Sequence, residues 1–421
     1  MGNPKFSQLA ETLIGSEIVK LGGIIKEKIK QGEAIFNYTI GDFDSGQFPI
    51  PEALKQGIID AYHQGYTNYP PADGEMDLRM AVAEFLKKRG GLDYSANEIL
   101  ISNGGRPLIY SIFRSIVDKG DKVIYPVPSW NNNHYTHFTE GQHIQIEALR
   151  ENNFMPTAAQ ITPHIKGATL LALCSPLNPT GTVFSKEELA AICDLVIAEN
   201  ESRGEGEKKL YVMYDQIYWT LTFGETVHYN PVSLRPKMKD YTVFVDGISK
   251  AFAATGVRVG WSMGPVELLN KMKAINSHVG SWAPLAEQKA TARFLSDEKQ
   301  LNEYFIHFKN EVSYRLTHLY EGFMQLKQEG FSVDAIAPQA AIYLTVQIDL
   351  VGKKLPNGQT IINQQAVTDF ILDEAKLALV PFGFFGADKE NNWYRISVGC
   401  SKKEEIPDVI NSLRNALKKL S

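Results

Sequence analysis

The sequence predicts an α/β protein in which a mostly parallel central sheet lies between helices. Three continuous apolar runs support this prediction, at residues 170–174, 210–214 and 241–245. Such runs are typical of strands that are buried on both faces, and each is followed by a turn-forming or polar residue. Because the carboxyl ends of parallel strands meet at one edge, we expect a ligand site at that edge.

The length of the chain predicts two domains, because 421 residues exceed what a single core usually serves. We expect a large domain over residues 50–310. A smaller α+β domain would combine residues 1–49 with residues 311–421. In that small domain the apolar spacing predicts an amphipathic helix at 17–31, strands at 341–348 and 393–398, and a last helix at 404–420.

Composition excludes several classes of function. The apolar content of 44% and charged content of 22% are ordinary for a globular protein, and a net charge of −5 offers no attraction to nucleic acid or to an anionic membrane. The three cysteines lack CxxC spacing, and His134 and His137 lack a third ligand, so no disulfide framework or metal site is predicted. With no membrane-length apolar run and no leader, we expect a cytoplasmic protein.

The first chemical motif is a strand, a glycine turn and a helix over residues 98–108. Pro107 suits the first helical turn, where its missing N–H costs nothing. The amides of Gly105 and Arg106 would then point out of a helix N-terminus, which is a natural seat for a phosphate.

A carboxylate and a lysine follow the next buried strands. Asp215 ends the strand at 210–214, where a buried carboxylate needs a cationic partner. Lys250 follows the break at Gly247, and desolvation there would lower its pKa and leave a neutral amine that attacks an aldehyde. Arg258 offers a fork of donors for a phosphate, between two glycines (Gly256 and Gly260) where backbone comes close. An aldehyde and a phosphate together indicate pyridoxal phosphate.

Companion motifs place these residues in a family frame. The Ser249-Lys250 pair with Arg258 and Gly260 at its spacing, the Pro128-Ser-Trp130 loop and the Asn178-Pro-Thr-Gly181 turn together resemble the class I/II aminotransferases of the aspartate aminotransferase type. These are fold-type I pyridoxal phosphate enzymes. The resemblance spans about residues 36–401 and implies a PLP-transferase fold.

The resemblance also implies roles for individual residues. Lys250 would be the catalytic lysine, and Gly41, Asn178 and Arg395 would contact the substrate, with Arg395 on its α-carboxylate. Tyr69 would cross to the phosphate of a partner subunit, which implies a homodimer with shared sites. The remaining cofactor contacts would be Gly105, Arg106, Trp130, Asn178, Asp215, Tyr218, Ser249 and Arg258.

The implied activity is amino transfer between an L-amino acid, with aspartate or an aromatic amino acid favoured, and a 2-oxo acid such as 2-oxoglutarate. Arg106 favours a dicarboxylate if it meets the substrate, but the same side chain could serve the cofactor phosphate instead. Trp130 with Phe384 or Phe385 could alternatively admit an aromatic ring. A β-lyase or decarboxylase could use every motif above. A ligand-sensing regulator is a remote alternative, since about 35 residues precede the match.

Two departures from the family pattern concern the substrate. Residues 381–386 read Pro-Phe-Gly-Phe-Phe-Gly, which adds bulk beside the expected site. Ala340 and Ile342 replace an expected glycine and phenylalanine. Both departures bear on which substrate is accepted and leave the predicted chemistry unchanged.

Overall fold

Two sheets of different size organise the chain. The structure is a computed structural model that describes residues 5–15 and 17–421. Its strands are β1 (Phe36–Asn37), β2 (Ile99–Ser102), β3 (Lys122–Val127), β4 (Gln142–Glu147), β5 (Ala168–Cys174), β6 (Tyr211–Asp215), β7 (Thr242–Gly247), β8 (Gly260–Met263), β9 (Val333–Ala335), β10 (Tyr343–Ile348), β11 (Leu377–Ala378), β12 (Val380–Pro381) and β13 (Trp393–Ser397).

Helices fill most of the chain between these strands. They are α1 (Gln8–Thr12), α2 (Glu17–Lys30), α3 (Glu52–His63), α4 (Met76–Gly90), α5 (Gly105–Ile116), α6 (Asn132–Phe138), α7 (Ala158–Ile161), α8 (Lys186–Glu201), α9 (Pro231–Leu234), α10 (Ile248–Ala251), α11 (Val266–Val279), α12 (Leu285–Leu295), α13 (Glu298–Gln328), α14 (Gln364–Glu374) and α15 (Ile406–Leu417). Among the described residues, none of them is both long and apolar enough to cross a membrane.

The large sheet has the strand order β2-β8-β7-β6-β5-β3-β4. Every neighbouring pair is parallel except the two that involve β8, which runs antiparallel to β2 and β7. The predicted mostly parallel sheet is therefore confirmed. A smaller antiparallel sheet has the order β12-β13-β10-β9, and β1 pairs with β11.

The apolar runs form strands because alternate side chains feed two different cores. Leu170 and Ala172 of β5 pack with α5 and α11 on one face of the sheet. Leu171 and Leu173 pack with α4, α8 and α12 on the other face. A strand covered by helices on both faces gains from apolar residues at every position, which explains the unbroken runs.

The described cores support the proposed domain boundary near residue 310. Phe305 belongs to the core under the large sheet, whereas Phe308, one turn later in α13, belongs to the core of the small sheet. Tyr38 and Phe48 also join that second core, as expected if the amino-terminal segment is part of the small domain. The boundaries remain a proposal, since α13 runs through them without a break.

Several element boundaries differ from prediction. Helices α12 and α13 are separated at Ser296 and Asp297, because the Asp297 side chain accepts from the Gln300 N–H and caps a new helix. The last helix, expected at 404–420, spans only Ile406–Leu417, and the strand expected at 341–348 begins at Tyr343. The segment before Gly41 pairs as a strand only at Phe36–Asn37. Strand β8 was not predicted, because its four residues begin with a glycine.

Candidate active site

A cavity of about 400 Å³ opens at the carboxyl edge of the large sheet. It lies there because β5, β6 and β7 are parallel neighbours, so the segments after them meet at one edge. Every residue predicted for the site lines this cavity except Tyr69. The structure thus brings the predicted residues together, while their individual roles stay predictions.

Lys250 projects into the cavity from α10, immediately after β7. Its Nζ donates to the Gly41 carbonyl oxygen at 2.6 Å and lies 5.5 Å from the ring centroid of Phe43. Burial lowers the pKa of Lys250 to about 8, and the nearby Asp42 carboxylate partly opposes this shift by raising the pKa. An amine with this pKa is substantially neutral near pH 8 and can therefore act as a nucleophile or a base.

Asp215 ends β6 and forms part of the cavity lining. Burial raises its pKa to about 6, partly offset by the Ile217 N–H, which donates to its Oδ1 at 3.0 Å. In the described part of the chain no cationic side chain contributes to this pKa. A carboxylate that lines a cavity without such a partner is suited to a ligand that brings a positive charge or an N–H donor.

The start of α5 has the features of an anion seat. Gly104 caps the helix with a φ of 80°, and no side chain occupies the cap, so the first amides are free for a ligand. Glycine is favoured here because L side chains rarely adopt a φ of 80°, and a Cβ at position 104 would also displace the Arg258 guanidinium, whose Nη2 would lie 2.2 Å away. Arg258 is held at the same turn by the carbonyl oxygens of Asn103 and Thr255, at 3.0 and 2.7 Å.

The two glycines that flank Arg258 have different surroundings. A Cβ at Gly260 would lie 2.7 Å from the carbonyl carbon of Gly104, so the predicted close backbone approach is confirmed there. A Cβ at Gly256 would meet no described atom within 4 Å, so the same prediction is wrong at Gly256. The difference arises because Gly260 begins β8, which pairs with β2 beside the α5 turn.

Arg395 enters the cavity from the small sheet. It is 2% exposed, and it donates to the Thr39 carbonyl oxygen at 2.6 Å and to Asn178 Oδ1 at 3.0 Å. Its guanidinium lies 4.7 and 5.0 Å from the ring centroids of Tyr343 and Phe385. Its Nε is buried with no hydrogen-bond partner among the described atoms, and burial lowers its pKa. A carboxylate ligand would satisfy both the unpaired donor and the buried charge.

The contact with Arg395 also orients Asn178. A guanidinium can only donate, so the amide oxygen of Asn178 must face it. The Nδ2 group of Asn178 is then available as a donor within the cavity. This geometry suits the predicted role of Asn178 as a donor to a cofactor oxygen.

Arg106 shares the cavity with Arg258 and Arg395. The Arg106 guanidinium lies 4.6 Å from the ring centroid of Trp130, which is a cation–π distance. Arg106 also contributes to lowering the pKa values of Lys250 and Arg258, after the larger effect of burial on each. Its charge therefore faces both the reactive lysine and the anion seat.

Several cavity residues were not predicted. Asp42 and Thr255 line the cavity beside Lys250, and Tyr343 places its hydroxyl 2.5 Å from that of Tyr218. Cys174 also lines it, at the end of β5. Asp42 could have been predicted from the sequence, because it is an acidic residue directly after the predicted site residue Gly41. Tyr343 could not be found in this way, because its contact with Tyr218 joins two distant segments.

Tyr69 lies outside this cavity. It is 85% exposed, and its ring packs edge-on against Trp282 at 5.2 Å. Its predicted contact with a partner subunit therefore remains a prediction, and its exposure leaves the side chain free to make such a contact.

The two departures from the family pattern also lie outside the lining. Ala340 and Ile342 are fully buried, and Phe384 and Phe385 belong to a small core beside Trp130. Phe385 additionally packs against the guanidinium of Arg395. The departures therefore add no side chain to the cavity surface.

Comparison with known proteins gives a consistent set of matches. The family model for aminotransferase class I and II matches residues 34–413. An aspartate aminotransferase of Bacillus sp. (strain YM-2) is 29% identical over 379 residues, covering 90% of this chain and 91% of that protein. The crystal structure of the Rhizobium meliloti aspartate aminotransferase superimposes with a TM-score of 0.88 at 25% identity, over the whole of both chains. The Thermus thermophilus aspartate aminotransferase with maleate gives 0.86 at 26% identity, over 99% of this chain and 100% of that one.

Proposed function

This chain belongs to the class I and II aminotransferases, which are pyridoxal phosphate enzymes, and we propose that it transfers amino groups between dicarboxylic substrates. Aspartate as donor and 2-oxoglutarate as acceptor are the pair that we favour. The observation that carries this proposal is the presence of two arginines, Arg395 and Arg106, in the cavity in addition to Arg258, which is assigned to the phosphate. A substrate with two carboxylates offers each of them an anionic partner.

The residues present fit the cofactor. Asp215, which has no cationic neighbour in the described chain, would accept from the pyridine nitrogen, and the free amides of α5 with Arg258 would hold the phosphate. The side chain of Trp130 would lie against the ring, and Asn178 and Tyr218 would serve the phenolic oxygen. When bound, pyridoxal phosphate supplies the aldehyde carbon that receives the amino group and a ring that accepts the electron pair from Cα.

The chain's own residues supply binding and proton transfer. Arg395 binds the α-carboxylate and thereby fixes which bond at Cα faces Lys250. As a free amine, Lys250 would take the proton from Cα of the substrate and deliver it to the carbon that began as the cofactor's aldehyde. Its pKa of about 8 is close to working pH, which suits a group that must both accept and donate a proton. A protonated pyridine nitrogen beside Asp215 would stabilise the negative charge that burial disfavours.

The relatives support the dicarboxylate assignment. The Bacillus sp. (strain YM-2) relative is an aspartate aminotransferase, and the Thermus thermophilus aspartate aminotransferase was solved with maleate, which also carries two carboxylates. Arg106 is the residue of this chain that would meet the distal carboxylate. Its place on the ring of Trp130 holds the guanidinium at the cavity, without a carboxylate partner in the described chain.

A donor panel with 2-oxoglutarate as acceptor tests the proposal, with products identified to detect lyase or decarboxylase chemistry. Aspartate and glutamate should give the highest kcat/KM. Arg106→Gln should lower kcat/KM for dicarboxylates by about tenfold to a hundredfold, or about 1.5–3 kcal/mol, and affect phenylalanine far less. Equal losses for both classes would assign Arg106 to the cofactor phosphate. Arg114→Gln, in the last turn of the same helix, is the matched control.

We also propose a homodimer with shared sites, because Tyr69 is exposed outside the cavity of its own chain. A dimer would let Tyr69 reach the partner's phosphate. Mixing Lys250→Ala with Tyr69→Phe subunits tests this. If Tyr69 acts across the interface, each hybrid has one site with both residues intact, and activity returns. A fully active monomer in sedimentation would contradict the proposal.

A further inference from the structure

Asp42 occupies a position in the cavity that the proposed mechanism does not use. It follows Gly41, whose carbonyl oxygen holds Lys250 Nζ at 2.6 Å. Its own Oδ1 accepts from the Thr255 hydroxyl at 2.6 Å and from the Phe43 N–H at 2.8 Å. Thr255 belongs to the loop between Lys250 and Arg258, so this one carboxylate connects the amino-terminal segment to the lysine loop.

The backbone of Asp42 is fixed from the opposite side. A Cβ at Gly399 would lie 2.0 Å from the Asp42 carbonyl oxygen, so the segment after β13 packs directly on it. Cys400 Sγ donates to the same oxygen at 3.6 Å, and the Asp44 N–H donates to the Gly399 carbonyl oxygen at 2.9 Å. Because Gly399 and Cys400 pack on its backbone and Thr255 donates to its carboxylate, Asp42 has little freedom to move away from Lys250.

We propose that Asp42, tethered by Thr255, is a positioning residue that holds the Gly41 carbonyl against Lys250 and sets how readily Lys250 keeps its proton. Asp42 touches neither substrate nor cofactor in this assignment and acts only through Lys250. The inference rests on the proposed function, because it gives Asp42 a purpose only if Lys250 carries the proton between the two carbon atoms.

The charges around Lys250 support this assignment. Besides burial, the groups with the largest effects on its pKa are Asp42 and Cys400, which raise it, and Arg395 and Arg106, which lower it. Burial raises the pKa of the Cys400 thiol to about 11, so Cys400 is uncharged at neutral pH. Asp42 is therefore the anion that balances two arginines near this lysine. Without it, the ammonium form would face burial and two like charges together.

The test measures Lys250 directly, in the full-length chain after removal of the cofactor. Acetic anhydride labels neutral amines, and mass spectrometry gives the extent of labelling at each lysine, with the 84% exposed Lys299 as internal reference. Asp42→Asn keeps an oxygen that accepts from Thr255 but removes the charge. We expect labelling of Lys250 at pH 7 to rise by roughly five- to tenfold, since one pKa unit corresponds to a factor of ten. Unchanged labelling overturns the proposal.

A second pair of variants tests the tether. Thr255→Val removes the hydroxyl at nearly constant volume, so the carboxylate keeps its charge and loses its anchor. Labelling of Lys250 should rise in the same direction but less, and Thr255→Ser should return it to the wild-type value. Wild-type labelling in Thr255→Val overturns the tether. These variants also cover the case in which Asp42→Asn does not fold.

The pH profile of the holoenzyme gives a readout that a merely structural role would not change. In Asp42→Asn the acid limb of kcat should move to lower pH, because Lys250 then loses its proton more readily. A uniform loss of kcat with an unmoved limb overturns the proposal. Labelling of the cofactor-free chain reports on Lys250 whether or not Lys250 is the lysine that binds the cofactor. Failure of the lysine assignment is therefore detected separately, by mapping the cofactor after borohydride reduction.

Discussion

The two walls of the cavity are built differently. The sheet wall comprises Gly105, Asp215, Lys250 and Arg258, each within a short segment that follows or precedes a strand of the large sheet. The small-domain wall comprises Gly41, Asp42, Tyr343 and Arg395, which come from opposite ends of the chain. Their contacts are long-range, as in the hydrogen bond from Arg395 to the Thr39 carbonyl oxygen.

This difference corresponds to a division of work. The sheet wall offers an anion seat and a carboxylate that lacks a cationic partner in the described chain, which suit the fixed chemistry of a cofactor. The small-domain wall contains the buried Arg395, whose Nε has no hydrogen-bond partner among the described atoms. This unpaired donor suits the carboxylate of a substrate that binds and dissociates in each turnover. Substitutions on the sheet wall should therefore affect turnover, whereas substitution of Arg395 on the small-domain wall should affect mainly substrate binding.

The largest effect is expected at Lys250. Lys250→Ala removes both the nucleophile and the proton carrier, so transamination should fall by at least about 10³-fold. After borohydride reduction the purified variant should carry no covalently attached cofactor. Lys299→Ala, at an exposed site, serves as the control. Reduced cofactor on another lysine would contradict the assignment.

Arg395 should produce the next largest effect, with a different kinetic signature. Arg395→Gln removes the fork for the α-carboxylate, and we expect kcat/KM to fall by about a hundredfold, or about 3 kcal/mol, mostly through KM. The bound cofactor should keep its absorption spectrum, because the sheet wall is intact. Arg293→Gln, at an exposed site on α12, is the matched control. A loss confined to kcat would place Arg395 on the cofactor side.

The sheet wall could be read from the sequence because its residues follow local patterns. An apolar run predicts a buried strand, and the parallel order of β5, β6 and β7 then brings Asn178, Asp215 and Lys250 to one edge. Local sequence also indicated the phosphate turn at Gly105. In each case the element and the functional residue lie a few positions apart.

The small-domain wall could be read only in part. Arg395 and Gly41 were found by resemblance, but no local pattern links Tyr343 to Tyr218 or Asp42 to Thr255. These contacts depend on how the two cores pack, and the sequence does not encode that packing at any one position. Strand β8 was missed for a similar reason, since its pairing with β2 and β7 is non-local.

The assignment of Asp215 to the cofactor can be tested through the pH dependence of the free energy of unfolding. Its folded pKa of about 6 lies above the ordinary value, so the cofactor-free folded state binds more protons than the unfolded state between about pH 4 and 6. The free energy of unfolding should therefore fall as pH rises through that window, by about 1–3 kcal/mol. Asp215→Asn should remove this component, as should saturation with pyridoxal phosphate, which supplies a partner to the carboxylate. Chemical denaturation at several pH values measures it.

Asp246 is the control for that measurement. Burial raises its pKa to about 7, and its carboxylate accepts from Trp219 Nε1 at 2.8 Å and from Gln216 Nε2 at 3.3 Å, outside the cavity lining. Its contribution should fall between about pH 4 and 7 and should persist when the cofactor is bound. If the cofactor abolished both components equally, Asp215 would not be the cofactor's specific partner.

The smallest effect is expected where the walls touch, at the paired hydroxyls of Tyr218 and Tyr343, 2.5 Å apart. Tyr343→Phe removes one hydrogen bond and leaves both rings, so kcat should fall by only about two- to tenfold, the equivalent of about 0.5–1.5 kcal/mol. Tyr218→Phe removes the same bond and also the hydroxyl predicted to serve the cofactor's phenolic oxygen. It should therefore cost more and shift the cofactor absorption band, which Tyr343→Phe should leave unchanged. Equal losses and unshifted bands in both variants would mean that Tyr218 contributes only its contact with Tyr343. Tyr218 would then have no role at the cofactor's phenolic oxygen.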